Sequence, residues 1–272
     1  MTPIDGGRAE TIEVDGRRIG YRRAGGGPPL VLLHGAWSDG REWRLQLEGL
    51  ADEFTVIAWD APGCGASSDP PEDFRLADYA DTAAGFIRTL GIDRPHLLGL
   101  SFGGGLAIEV VRRHPGLPRS LILASAYAGW AGSLPPDVVD ARVHRALIEA
   151  DQPPETWVAS YLPGFFAGRV AQELIDEVTA IMCDVRAAGI KPMVKALAEA
   201  DLRGALADVT VPTLLLYGER DERAPLSVAH DLHARIRNSE LVVMPDAGHV
   251  SNIEVPAAFN AEVRRFLRSI PA

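Results

Sequence analysis

A chain of 272 residues that is 47% hydrophobic and 24% charged has the composition of a globular protein, long enough for one sizeable core and an insertion. Its formal net charge of −10, its two lysines (Lys191 and Lys195) and its scattered arginines exclude the basic tract that a nucleic-acid partner would need. No apolar run has bilayer length, and residues 1–10 lack the basic-then-apolar pattern of a secretory signal. Two distant cysteines, Cys64 and Cys183, give no disulfide framework. A cytoplasmic protein with no membrane partner is the expectation.

In chain order, Asp15-Gly16 between residues 11–14 and 18–22 predicts a hairpin. Leu30-Val31-Leu32-Leu33 reads as a strand ending in His34-Gly35-Ala36-Trp37, and residues 54–59 as a second strand before the glycine-rich stretch Asp60-Ala61-Pro62-Gly63-Cys64-Gly65-Ala66-Ser67. Tyr79, Ala83, Phe86, Ile87 and Leu90 recur at helical spacing. The apolar run of residues 95–98 enters Gly99-Leu100-Ser101-Phe102-Gly103, which leads into a helix over residues 102–113. Residues 121–124 form another buried strand. The stretch from 128 to 207 is too long for a simple crossover and has helical patterning without a buried strand, with Pro135-Pro136 and Pro153-Pro154 as breaks. Residues 211–217 and 241–244 are strands, and Phe259, Val263, Phe266 and Leu267 mark a terminal amphipathic helix. Strands alternating with helices predict a mostly parallel sheet covered on both faces.

Chemistry concentrates where these strands end. A serine hydroxyl is a poor nucleophile unless a sharp strand-to-helix turn exposes it to a base, and such a turn needs small neighbours two residues away on each side. Gly99 and Gly103 supply them for Ser101. An acid and a histidine should follow in the order Ser, Asp, His, each just after a strand; Asp221 and His249 do so. Asp246, closer to His249 in sequence, is less well placed to face the imidazole. The oxyanion of an acyl-transfer intermediate needs fixed donors, and the backbone N–H groups of Phe102 and Ala36 are the candidates. His34, lying before the turn, reads as a structural hydrogen-bonding residue.

His34-Gly35, residues 60–67, the Ser101 turn, Gly218-Glu219-Arg220-Asp221 and Gly248-His249 stand in an order that resembles the α/β-hydrolase family over nearly the whole chain. The stretch from His249 to Pro256, His-Val-Ser-Asn-Ile-Glu-Val-Pro, is similar to that of enol-lactone hydrolases and related small-ester hydrolases. It also reads as a loop feeding a helix that begins at Pro256. The resemblance implies an α/β-hydrolase fold with a catalytic core of residues 1–127 and 208–272 and a helical cap of residues 128–207. It further implies ester hydrolysis through an acyl-enzyme on Ser101, His249 and Asp221, with no cofactor.

The cap stretch holds Trp130, Trp157, Tyr161, Phe165, Phe166, Met182 and Met193. With Trp37, the aromatics Trp130, Trp157, Tyr161 and Phe165 are candidate substrate-binding residues, although such side chains also make the core of a small helical domain. An apolar wall favours small uncharged esters. Arg142, Arg145, Arg169 or Arg186 inside the pocket would instead favour a carboxylate-bearing lactone. Lactone, carbon–carbon and perhydrolytic chemistry, hydroxynitrile cleavage, and a non-catalytic receptor remain open on the same fold. The first loop lacks the Gly-Pro-Gly pattern that the carbon–carbon hydrolases suggest, and a serine at the elbow disfavours aspartate-nucleophile relatives. The seven histidines show no metal-binding spacing, His230 and His233 reading as surface residues, so no metal is expected. Cys64 reads as an inert small residue. The oligomeric state is not encoded in any motif.

Overall fold

The computed structural model describes residues 8–168 and 170–271; residues 1–7, which hold most of the stretch 1–10 read for a signal peptide, Arg169 and Ala272 lie outside them. The predicted hairpin joins β1 (Arg8–Val14) to β2 (Arg17–Ala24) through Asp15 and Gly16, whose φ values of 48° and 76° are those of a two-residue turn matched to strand twist. There follow β3 (Pro29–Leu33), α1 (Arg44–Leu50), β4 (Thr55–Trp59), α2 (Leu76–Thr89), β5 (His96–Leu100), α3 (Phe102–Arg113) and β6 (Ser120–Ala124). After β6 come three helices, α4 (Pro136–Glu149), α5 (Gln172–Cys183) and α6 (Ala187–Glu199). The chain returns through β7 (Thr213–Gly218), α7 (Leu226–Arg235), β8 (Ser239–Met244), the single turn α8 (Ser251–Glu254) and α9 (Pro256–Ser269).

Among the described residues, eight strands form one sheet in the order β1-β2-β4-β3-β5-β6-β7-β8. The six from β4 to β8 run parallel, and the β1–β2 hairpin joins antiparallel at β4. Every residue of β4, β5, β6 and β7 is buried, as continuous apolar runs covered by helices on both faces require. β8 lies at the edge and only Met244 is fully covered. Parallel strands send their loops out of one edge, and in open α/β sheets that carboxyl edge is where ligands bind. The loops after β3, β5, β7 and β8 all leave there, carrying Ala36, Ser101, Asp221 and His249.

Between β6 and β7 the described residues contain helices and short 3-10 turns but no strand. The two ends of this segment are tied together: the Trp130 N–H donates to the Leu197 carbonyl (2.9 Å) and the Leu202 N–H to that of Ala128 (2.8 Å). Among the described residues no helix is long and apolar enough to cross a membrane.

Candidate active site

Ser101 stands between β5 and α3 with φ 53° and ψ −109°, a conformation that an L-residue occupies at a cost of order 1–3 kcal/mol. The turn is tight on both sides. A Cβ on Gly99 would come within 2.1 Å of the Gly103 carbonyl oxygen, and one on Gly103 within 2.0 Å of the Leu33 oxygen. Only glycine fits at either place, which is the physical content of the sequence pattern.

Asp221 follows β7 and His249 follows β8, which pair with each other up to Gly218 and Met244. His249 Nδ1 lies 2.9 and 3.0 Å from the two Asp221 carboxylate oxygens, and both residues are buried. Burial opposes ionisation of Asp221, but the imidazole's charge and hydrogen bond and the Ala224 N–H outweigh it, so its pKa lies below the usual value. An ionised carboxylate only accepts, so Nδ1 carries a hydrogen, and in the neutral form of the ring the lone pair is then on Nε2. Asp246 is elsewhere: its side chain is 73% exposed and pairs with Arg220.

The loop after β3 is organised by buried polar groups. His34 accepts the Ala61 N–H on Nε2 (3.0 Å), so its Nδ1 donates to the Gly35 carbonyl (2.7 Å), and burial pushes its pKa down. A neutral ring bonded at both nitrogens is the structural histidine expected. The Gly35 N–H donates to Glu42 (2.9 Å), a residue sequence reasoning missed. Burial raises the Glu42 carboxyl to about 7. Among the described residues no protein acceptor meets the N–H groups of Ala36 and Phe102. Trp37 takes φ 61°, uncommon for a bulky side chain.

One cavity joins these parts. Ala36, Trp37, Glu42, Ser101 and His249 line it from the sheet side, and α5 and α6 contribute Val178, Ile181, Met182 and Leu197. Of the aromatic candidates, Trp37, Trp130 and Phe165 line the cavity. Trp157 and Tyr161 stand behind it, Trp157 against Tyr161 at 5.5 Å and Tyr161 against Trp37 at 5.2 Å. Phe165 stacks on His249 with ring centroids 6.1 Å apart, and its carbonyl accepts the His249 N–H at 2.9 Å.

The wall is not apolar throughout, which corrects the expectation built on its aromatics. Arg142 and Arg223 also line the cavity. Arg145 and Arg186 do not; the first pairs with Glu149 and the second with Asp69. Arg169 lies outside the described residues. Glu254, quoted in the motif but given no role there, accepts the Gly248 N–H on one oxygen (2.7 Å) and those of Ala167 and Gly168 on the other (3.0 and 2.7 Å). Cys64 is buried, and desolvation pushes its thiol well up, as suits an inert side chain. His230 and His233 are exposed on α7.

Comparison with known proteins agrees with this architecture. Residues 30–262 match the model of the alpha/beta hydrolase family. The chain belongs to that family. It is 32% identical over 254 residues to the AB hydrolase superfamily protein YisY of Bacillus subtilis, covering 90% of this chain and 93% of that one. A thermophilic esterase from Thermogutta terrifontis superimposes with TM-score 0.89 at 27% identity, over 97% of this chain and all (100%) of that one. The enol-lactonase from Burkholderia xenovorans does so with TM-score 0.85 at 25% identity, over 96% and 100%. The protein is thus a hydrolase of the alpha/beta family.

Proposed function

We propose that this hydrolase cleaves small carboxylic esters through an acyl-enzyme on Ser101. The observation that carries the reading is a strained serine and a buried Asp221–His249 pair opening on one cavity. Ser101 Oγ attacks the ester carbonyl carbon while His249 Nε2 takes its proton. The Ala36 and Phe102 N–H groups receive the oxyanion, with the amino end of α3 adding its favourable dipole. Collapse of the tetrahedral intermediate breaks the bond to the alkoxy oxygen, which takes the proton back from His249. Water, deprotonated by the same nitrogen, then releases the acid and restores Ser101. Asp221 holds the tautomer and stabilises the imidazolium. The segment between β6 and β7 acts as a cap that walls the substrate in.

A lactone follows the same steps with its alkoxy oxygen tethered to the acyl group, and the likeness to an enol-lactonase supports it as the second reading. A fluorophosphonate tests the mechanism directly. It should label the protein once, at Ser101, and leave Ser101→Ala unlabelled; labelling of the variant to the wild-type extent, or no label on either, overturns the proposal.

A further inference from the structure

We propose that Arg223 and Arg142 form a carboxylate-binding subsite within the cavity, so that the substrate is an ester or lactone carrying a negative charge. The inference rests on the hydrolase reading above and replaces the uncharged substrate expected from the aromatic residues.

Arg223 follows Asp221 by two residues and is held from both sides. Its N–H donates to Asp221 Oδ1 (2.9 Å), and its carbonyl accepts from the Tyr127 hydroxyl and from Arg142 Nη2 (3.0 Å). Its guanidinium lies over the rings of Phe165, Tyr161 and Trp37, 4.9, 5.4 and 5.9 Å from their centroids. Arg142 reaches the same cavity from α4, stacked on Trp130 at 5.5 Å and donating to the Tyr127 hydroxyl at 3.2 Å.

Neither guanidinium has a carboxylate partner among the described residues, although the chain carries ten more acids than bases. The nearby acids are committed otherwise. Asp221 faces His249, Glu149 accepts from Arg145 and Tyr161, and Glu42 on the cavity wall is occupied by the Gly35 N–H. Burial lowers the pKa of Arg223, yet an arginine stays charged at neutral pH. Aromatic faces offset part of that desolvation, and an anionic ligand supplies the missing counter-charge. A planar guanidinium fixed in place suits the two oxygens of a carboxylate. Arg223, Arg142, Phe165, His249 and Ser101 line one cavity, so a single bound molecule can present a carboxylate to the arginines and an ester to Ser101.

The test compares 4-nitrophenyl hydrogen adipate with 4-nitrophenyl methyl adipate, its neutral counterpart, at fixed ionic strength. The wild-type protein should favour the anion about tenfold or more in kcat/KM, expressed in KM. Arg223→Gln should reduce the anionic-to-neutral ratio by about 10- to 100-fold, Arg142→Gln by less, and Arg223→Lys should restore part of it. Arg235→Gln, on the outer face of α7, should keep the wild-type ratio. A second pair, 4-carboxyphenyl valerate and its methyl ester, places the charge on the alcohol instead, and the pair with the larger Arg223-dependent ratio shows which portion carries it. A wild-type preference for the neutral ester in both pairs, or a ratio that neither arginine variant alters, overturns the proposal. Calorimetric titration of adipate into Ser101→Ala separates the two readings. Binding lost in Arg223→Gln, with no ester cleaved by wild type, upholds the subsite and defeats the hydrolase reading. Cleavage of both esters without adipate binding does the reverse.

Discussion

The loops at the carboxyl edge of the sheet and the helical segment opposite them enclose the same cavity by different means. The loops hold strained, specific geometry: Ser101, Trp37, Ser125 and Asp246 all take positive φ there, whereas the helical segment contains no such non-glycine residue among those described. Polar side chains buried beneath these loops, His34 and Glu42 among them, fix individual N–H and carbonyl groups. The helical segment instead presents packed side chains and is fastened at its rim by partly exposed ion pairs, such as Arg44 to Glu177 (2.7 Å) and Arg41 to Asp184 (2.7 Å). Exposed pairs of this kind each contribute roughly 0–1 kcal/mol. Under the proposed mechanism the strain at Ser101 and Trp37 sits where atoms react, and the adaptable packing sits where substrates differ. Changes to Ser101, Asp221 and His249 on the sheet side should therefore act on kcat, and changes on the helical side, together with Arg223 on the loop after β7, on selectivity.

The largest effect expected is that of Ser101→Ala, which should fold with a wild-type melting temperature and lose ester turnover by about 10⁴-fold or more. Retained turnover in a preparation free of contaminating esterase would break the assignment of reactivity to the sheet edge. Asp221→Asn should follow, lowering kcat on the order of 10³ to 10⁴, because the amide carries no charge and its NH2 can donate to Nδ1 and so favour the wrong His249 tautomer. Asp246→Asn, an exposed change, should cost far less; the opposite order in steady-state kinetics would move the acid to the wrong loop.

Glu42 sharpens the sheet side through pH. Its carboxyl is raised from 4.5 to about 7, so between these values the folded state holds a proton that the unfolded chain has released. Stability from this group is present at pH 4.5 and is lost as pH rises to about 7, by on the order of 3 kcal/mol. Glu42→Gln, which can still accept from Gly35, should abolish that part of the loss. Urea unfolding of both proteins at pH 5 and pH 8 measures it, and an equal fall in the two proteins contradicts the account.

Glu254 is the seam between the regions, joining the His249 loop to residues 167 and 168. Glu254→Ala should lower kcat about tenfold, the scale of losing charge-assisted hydrogen bonds, with Glu254→Gln in between; unchanged kinetics would mean that the helical segment does not help to seat the imidazole. The smallest effect belongs to Met182→Ala on the helical wall. It should move the preferred acyl chain longer, by up to about fourfold in kcat/KM per methylene accommodated, since each buried methylene contributes about 0.8 kcal/mol. A fall in kcat uniform across chain lengths would erase the distinction between the two regions.

Much of the sheet side was legible in the sequence because its signals are local. A turn that admits only glycine at 99 and 103, a continuous apolar run before each loop, and the order Ser101, Asp221, His249 can be read along the chain without knowing what lies beside what. The β1–β2 turn was legible for the same reason, since Asp15-Gly16 states its own dihedral requirement. The cavity wall was not. Which aromatic lines it and which stands behind depends on how α4, α5 and α6 pack, and helical spacing alone does not separate Trp130 from Trp157. Arg145 and Arg142 lie on one helix, yet only tertiary packing turns Arg142 into the cavity and leaves Arg145 on Glu149. Arg223 and Glu42 had no local signature: their roles come from contacts made across the fold, with the rings of Phe165 and Tyr161 and with the loop after β3. The sequence by itself singled out Ser101, Asp221 and His249 and the sheet that carries them, because glycine sterics and strand patterning are short-range. Tertiary structure decided which charges face the cavity, because burial and pairing are set by neighbours distant in the chain.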